Sequence, residues 1–243
     1  MYMAEYDGHP GSTVIDMGAG NQAPRKDLSF VLVTGVTFTD CTSDGMPSSA
    51  QFDDLYKISD SVKNAITQKV KSKLVGTFTH QCKRLDYYYV ADTSGLRKLL
   101  NSIYSRSFSS YKPYLNMKQD KAWEYYLKFL YPNEQTIEYM ENQKVLANLQ
   151  KAGDKLTQPR QLDHWLYFST QADLDSFLPY VTRLHFKVES KSFDKSFRKP
   201  YQLKISRVDT PELASISALT YQLKTEAKKC KGEYDGWETV VIK

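Results

Sequence analysis

The chain has 243 residues, 41% hydrophobic and 25% charged, with a net charge of +5 and no run of apolar residues long enough to span a membrane. That excludes a disordered chain or a membrane span, and leaves room for two ordinary domains. The 18 Tyr among an aromatic content of 13% favour strands and half-buried surfaces.

In chain order, Tyr2–Glu5 and Ser12–Met17 read as a hairpin turned at Asp7-Gly8, where a tight turn wants positive φ. Phe30–Thr39 is a Val- and Thr-rich strand, followed by a loop around Gly45 and Pro47. A long helix starts near Ser49: Phe52, Leu55, Ile58, Val62, Ile66 and Val70 fall three or four apart on one apolar stripe. Two strands follow, Val75–His80 and Leu85–Val90. A short helix then carries Leu96, Leu99, Leu100 and Ile103, and two further strands are expected over Tyr111–Met117 and Trp123–Leu130.

After Pro132-Asn133, the positions of Ile137, Met140, Val145, Leu146 and Leu149 predict a connecting helix ending at Gly153, and polar Asp154–Arg160 reads as a linker. Leu162–Phe168 is a strand. Thr170 with Asp173 gives a capping-box-like start to a helix bearing Leu174, Phe177, Leu178 and Val181. Phe186–Glu189 and Gln202–Val208 are strands. Thr210-Pro211-Glu212 predicts a helix with Thr210 as N-cap, and Gly232 is the expected C-cap. Tyr234–Ile242 closes as a strand. Each half thus reads strand–helix–strand–strand–helix–strand, the split βαβ order. The expected fold class is α+β: two ferredoxin-like domains, each an antiparallel sheet with two helices on one face. The expected boundaries are 1–132 for the first domain, 133–160 for connecting helix and linker, and 161–243 for the second.

Chemistry is sparse. His9, His80, His164 and His185 are scattered, and only His80-x-Cys82 puts two metal-ligand types on one strand face, too few for a zinc site. No nucleophile elbow, P-loop or glycine-rich phosphate loop occurs. Neither a catalytic residue nor a cofactor or metal ligand is assigned, and no enzyme activity is expected. Cys41, Cys82 and Cys230, an odd and widely spaced set, fit reduced thiols in a cytoplasm, and MYMAEYDG lacks the basic and apolar regions of a secretory signal. RLDYYYVAD alternates Leu85, Tyr87 and Tyr89 with Asp86, Tyr88 and Val90. Such strand aromatics raise single-stranded RNA binding as an alternative, although no RNP1-like pattern is present.

LDHWLYFSTQADLDSFLPYV and the later TPELASISALTYQLKTEAKKCKGEYDGWETVV resemble the bacterial regulator of ribonuclease E activity B over about residues 140–243. The matching residues are His164, Trp165, Glu233, Tyr234, Asp235, Gly236 and Trp237. The opening hairpin, Gly45-Met46-Pro47 and VGTFTHQCKRLDYYYVAD resemble an uncharacterised bacterial domain found in front of that module. The resemblance implies a non-catalytic regulator that binds a protein, a ribonuclease, and the thiols and N-terminus place it in the cytoplasm. Its implied partner-binding residues are His164, Trp165, Tyr234, Asp235, Gly236 and Trp237. A toxin-neutralising, immunity-type protein is the other binding reading. The charge departs from the family: residues 141–243 carry 17 Lys and Arg against 13 acids, where the regulator is acidic. From residue chemistry alone, Asp235-Gly236 is expected to bend or bulge its strand, Trp237 to plug the core, and His164 to be a hydrogen-bonded strand histidine.

Overall fold

The computed structural model describes residues 1–243 and divides them into two compact units, Met1–Pro132 and Asn133–Lys243. Both are α+β, with an antiparallel sheet of six strands in the first and four in the second.

The first unit opens with β1 (Tyr2–Tyr6) and β2 (His9–Ile15). Asp7 and Gly8 turn the hairpin at φ 50° and 77°, the pair of positive angles that matches strand twist. Then come β3 (Phe30–Thr37), α1 (Phe52–Lys69), β4 (Ser72–His80), β5 (Lys83–Val90), α2 (Leu96–Ser107) and β6 (Lys112–Gln119). The sheet order β1-β2-β4-β5-β3-β6 is a split βαβ core widened by the hairpin, which pairs with β4. Leu55, Ile58, Val62 and Ile66 of α1 pack with Leu96, Leu100 and Tyr104 of α2 over Leu32, Val36, Tyr88 and Val90.

The opposite sheet face is covered as well. Trp123–Leu130, expected as a strand, instead leads through Trp123 into a π-helical turn over Tyr125–Leu130. Trp123 has a φ of 57°, which no strand accommodates, and Asp120 accepts the N–H groups of Glu124 and Tyr125 as a helix start requires. Trp123, Tyr126 and Leu130 keep helical spacing, and all three are buried against Val31, Val33, Val75 and Tyr89. The Trp123 ring stacks on Tyr89 with centroids 4.0 Å apart, and its indole N–H donates to the Leu28 carbonyl at 2.8 Å. The RNA reading placed on Tyr87 and Tyr89 fails here, because both rings are buried.

The thiols are not all reduced. Cys41, in the loop after β3, is bonded to Cys82 in the β4–β5 turn, with 5.8 Å between their Cα atoms, and Cys230 is free. The Cys82 sulfur is thereby removed from any pairing with His80, whose Nδ1 instead meets the Pro10 carbonyl at 3.1 Å. Gly45 completes the junction: its φ is +73°, its carbonyl accepts from the Cys82 N–H at 2.8 Å, and a Cβ there would meet the Gln81 Cα at 2.8 Å. Only glycine fits.

The second unit runs α3 (Glu134–Lys151), β7 (Arg160–Phe168), α4 (Gln171–Arg183), β8 (Lys187–Phe193), β9 (Tyr201–Asp209), α5 (Leu213–Lys229) and β10 (Gly232–Glu238). Its order β10-β7-β9-β8 is the ferredoxin-like arrangement. Thr170 caps α4 by accepting the Asp173 N–H at 3.1 Å, as its sequence indicates. At α5 the cap is Glu212, not Thr210, and the left-handed residue after the helix is Lys231, so Gly232 is free to begin β10. Core residues include Leu162, Leu166 and Phe168 of β7, Phe177 of α4, Leu203 and Ile205 of β9, and Ile216 and Leu223 of α5.

The segment Asp154–Arg160, expected as a linker, is anchored instead. Arg160 makes a two-pronged ion pair with Asp154, both side chains being at most 3% exposed. Asp154 also accepts the N–H groups of Leu156 and Ile242, at 2.8 and 2.9 Å, which ties the last residues of the chain to the entry of β7. The Arg160 guanidinium, with these N–H groups, holds the Asp154 carboxyl well below the usual carboxylate range although burial opposes it.

Two measurements check this organisation. Without reductant, the denatured chain should show one reactive thiol, Cys230, and a Cys41–Cys82 cross-linked peptide by mass spectrometry; three thiols would remove the bond. Residues 133–243 expressed alone should unfold in one cooperative transition, whereas residues 161–243, which lack α3, should not.

Candidate functional site

The implied partner-binding residues converge on the join between β7 and β10. His164 and Tyr234 face the core; Trp165 and Asp235 do not. In a regular strand Tyr234 and Trp237, three apart, would point to opposite faces. A bulge between Tyr234 and Gly236 inserts Asp235 as an extra residue, so that Tyr234 pairs with Leu166 and Trp237 with His164, both on the core side. Gly236 takes a φ of +154°, and no atom lies within 4 Å of the place a Cβ would occupy, so the need for glycine is conformational.

Trp237 is 9% exposed, and its indole N–H donates to Asn142 Oδ1 at 2.6 Å. The Asn142 amide in turn donates to Thr220 Oγ1 at 2.8 Å and to Ser217 Oγ at 3.4 Å. Asn142 thus joins β10 to both α3 and α5. The two helices run antiparallel along a polar seam, with Glu134 paired to Lys228 at 3.1 Å and Glu138 to Lys224 at 2.8 Å, ahead of Asn142. Burial opposes the charge on Lys224, but the Glu138 carboxylate outweighs it and raises the ammonium pKa.

A cleft of about 330 Å³ opens above this seam, walled by Glu138, Glu141, Lys224, Asp235 and Trp237. Glu138 is 4% exposed and Asp235 is exposed at the rim. At its base Tyr234 is buried, and its hydroxyl pKa is raised well above the ordinary value by burial and then by the Glu138 and Asp235 charges. The hydroxyl and His164 Nδ1 share a hydrogen bond of 2.9 Å. His164 Nε2 is buried with no partner. An orphaned acceptor is cheaper than an orphaned N–H, which favours the tautomer protonated at Nδ1. Burial and then the Arg207 charge lower the imidazole pKa to about 3, so His164 stays neutral.

On the open face of the sheet Trp165 lies under Lys204, whose ammonium is 4.6 Å from the ring centroid. Lys204 also pairs with Asp163 at 2.8 Å. Trp165 is therefore apart from the cleft, while Tyr234, Asp235, Gly236 and Trp237 line it and His164 supports it from beneath. Sequence reasoning missed Glu138, Asn142 and Lys224. The only signal was a buried stripe on α3 whose first half is polar, Glu138 and Asn142 four apart.

The comparisons with known proteins divide the chain at the same place. Residues 139–239 match the family described as Regulator of ribonuclease activity B, and residues 1–131, more than half of the chain, match the family of unknown function DUF695. No curated protein matches the chain.

Trp237→Ala is expected to destabilise the second unit by about 3–5 kcal/mol, and Trp237→Phe, which strands the Asn142 carbonyl oxygen, by about 1–3 kcal/mol; chemical denaturation measures both. The depressed His164 pKa makes the unfolded chain the stronger proton binder between its ordinary value and about 3. Its contribution is complete above pH 6.5 and is lost as the pH falls toward the folded value. His164→Leu should flatten that part of the pH–stability profile.

Proposed function

Since the chain belongs to the family of unknown function DUF695 and continues into a module matching the regulators of ribonuclease activity B, we propose that it is a non-catalytic protein that restrains a ribonuclease, of the ribonuclease E type, by binding it. The observation that carries this reading is the extent of the match. Residues 139–239 include Asn142, Thr220 and Trp237, so the matched region takes in the hydrogen-bonded framework beneath the cleft. The exposed contact is Asp235, held out of the strand by the bulge and flanked by the carboxylates of Glu138 and Glu141 across the cleft. With Lys224 neutralising Glu138, the rim offers net negative charge to a basic side chain of the partner. His164, Tyr234, Gly236 and Trp237 then act by holding the shape of the contact surface rather than by touching the partner. Trp165, on the other face, would be a second contact.

No helix is long and apolar enough to cross a membrane, and the cytoplasm is the compartment in which such a regulator would meet its enzyme. That placement sets a condition on Cys41 and Cys82, which a reducing compartment would hold as neighbouring thiols.

The test is cleavage of a labelled RNA by a purified ribonuclease E-type enzyme with and without the chain. Inhibition should depend on which nuclease is used and be the same for RNAs of different sequence. Asp235→Lys, an exposed substitution, should weaken inhibition about tenfold, as expected for reversing one charge in a complementary contact, without changing the melting temperature. Equal restraint of unrelated nucleases, or an unaffected Asp235→Lys variant, would remove this reading.

A further inference from the structure

The positive charge of the second unit is concentrated in one place. Residues 187–209, the β8–β9 hairpin, carry seven Lys and Arg against three acids, a +4 that exceeds the +2 of the whole unit, where residues 133–243 carry 17 against 15. β8 is an edge strand and its residues are almost all exposed. The turn holds Lys195, Arg198 and Lys199 around Phe197, which is 48% exposed. Arg198 pairs with Glu233 at 2.8 Å, but both side chains are more than half exposed, and such a pair gives way readily to a competing anion. Lys199 donates to the Lys231 carbonyl, a neutral acceptor.

The Phe197 ring lies nearly parallel to Tyr167 on the open sheet face, 5.5 Å between centroids and 24° between planes. One face of the ring is thereby occupied and the other is available. Beside it is a cleft of about 210 Å³ bounded by Tyr167, Phe197, Arg198, Lys199, Glu233 and Asp235.

We infer that this turn binds single-stranded RNA, with phosphates on Lys195, Arg198 and Lys199 and one base stacked on Phe197 over Tyr167. Two observations separate this ligand from other polyanions. A ring already stacked on a second ring extends a base stack, as sequence-tolerant single-strand sites do, whereas a membrane-inserting wedge would need a free tip. The carboxylates of Glu233 and Asp235 repel phosphate and would repel an acidic peptide equally. They do accept hydrogen bonds from the exocyclic amino groups of cytosine and adenine. The site is small, three cations and one ring, so binding is weak at physiological salt. The inference does not rest on the ribonuclease reading, and it moves RNA contact from the buried Tyr87 and Tyr89 to the other unit.

The test is fluorescence anisotropy of a labelled 20-nucleotide oligo(C) titrated with the full chain. Three phosphate contacts predict that affinity falls about 20-fold between 50 and 200 mM salt, from a slope of roughly −0.7 per contact. Combined Lys195→Glu, Arg198→Glu and Lys199→Glu should abolish binding at 50 mM salt. Phe197→Ala should weaken it about tenfold, and Phe197→Tyr should restore it. Oligo(U), which lacks an exocyclic amino group, should bind less tightly than oligo(C). All these side chains lie at the surface, so circular dichroism should be unchanged. The inference is overturned if the wild-type chain does not bind at 50 mM salt, or if Phe197→Ala has no effect. It is equally overturned if a duplex of the same length, a polyglutamate peptide or anionic vesicles bind as tightly.

Discussion

The second unit depends on the hydrogen bond from Trp237 to Asn142. A tryptophan ring can be buried at a sheet edge only if its N–H finds an acceptor, and here the acceptor comes from α3, outside the split βαβ core. Asn142 spends its amide donors on Thr220 and Ser217 of α5, so one side chain joins β10 to α3 and α3 to α5. The neighbouring pairs, Glu138 with Lys224 and Glu134 with Lys228, follow from that register, since α3 and α5 descend past one another in opposite directions. Hydrophobic burial fixes a helix face but allows sliding; directional polar pairs do not. The cleft exists because α3 is held in that position.

The first unit solves a different problem. Its central strand β3 is buried on both faces, so each face needs its own cover. Helices α1 and α2 supply one. The other is aromatic, with Trp123 and Tyr126 brought over the sheet by the π-helical turn, and the hydroxyl groups are satisfied locally. Tyr89 donates to Asp120 at 2.6 Å, Tyr126 to the Asp16 carbonyl at 2.7 Å and Tyr2 to the Leu130 carbonyl at 2.8 Å. Three of the tyrosines thus give this face rings that are apolar and hydroxyl groups that are hydrogen-bonded.

How much of this is legible in the chain varies with the kind of pattern. The stripe from Leu55 to Ile66 and the cap at Thr170 are local signals, and local physics is enough to place α1 and α4. The split βαβ order follows from them. Trp123–Leu130 misleads because its aromatic content suggests a strand while the spacing of 123, 126 and 130 is helical. Spacing is the better guide. Asp154–Arg160 looks like a linker because polar residues usually mean solvent; the buried ion pair between its ends has no signature in composition. The candidate site is half legible: Tyr234 to Trp237 stand out as a motif. Glu138 and Asn142 do not, since their partners lie some eighty residues away and a polar stripe resembles an exposed face.

The bulge at Asp235 bears on how this strand can change. Tyr234 and Trp237 share a face because one residue between them takes no part in the pairing, so the strand carries a phase as well as a sequence. Loss of Asp235 itself would leave that phase intact, with Tyr234 and Trp237 two apart in a regular strand and both still turned inward. Loss of Gly236 instead would do the same, because Asp235 would then take its place opposite Trp165; loss of both would set Tyr234 and Trp237 on opposite faces, and Asn142 would be left without its donor. The chain thus holds an exposed rim carboxylate at the point of β10 where length, as well as residue type, can vary without turning the strand inside out.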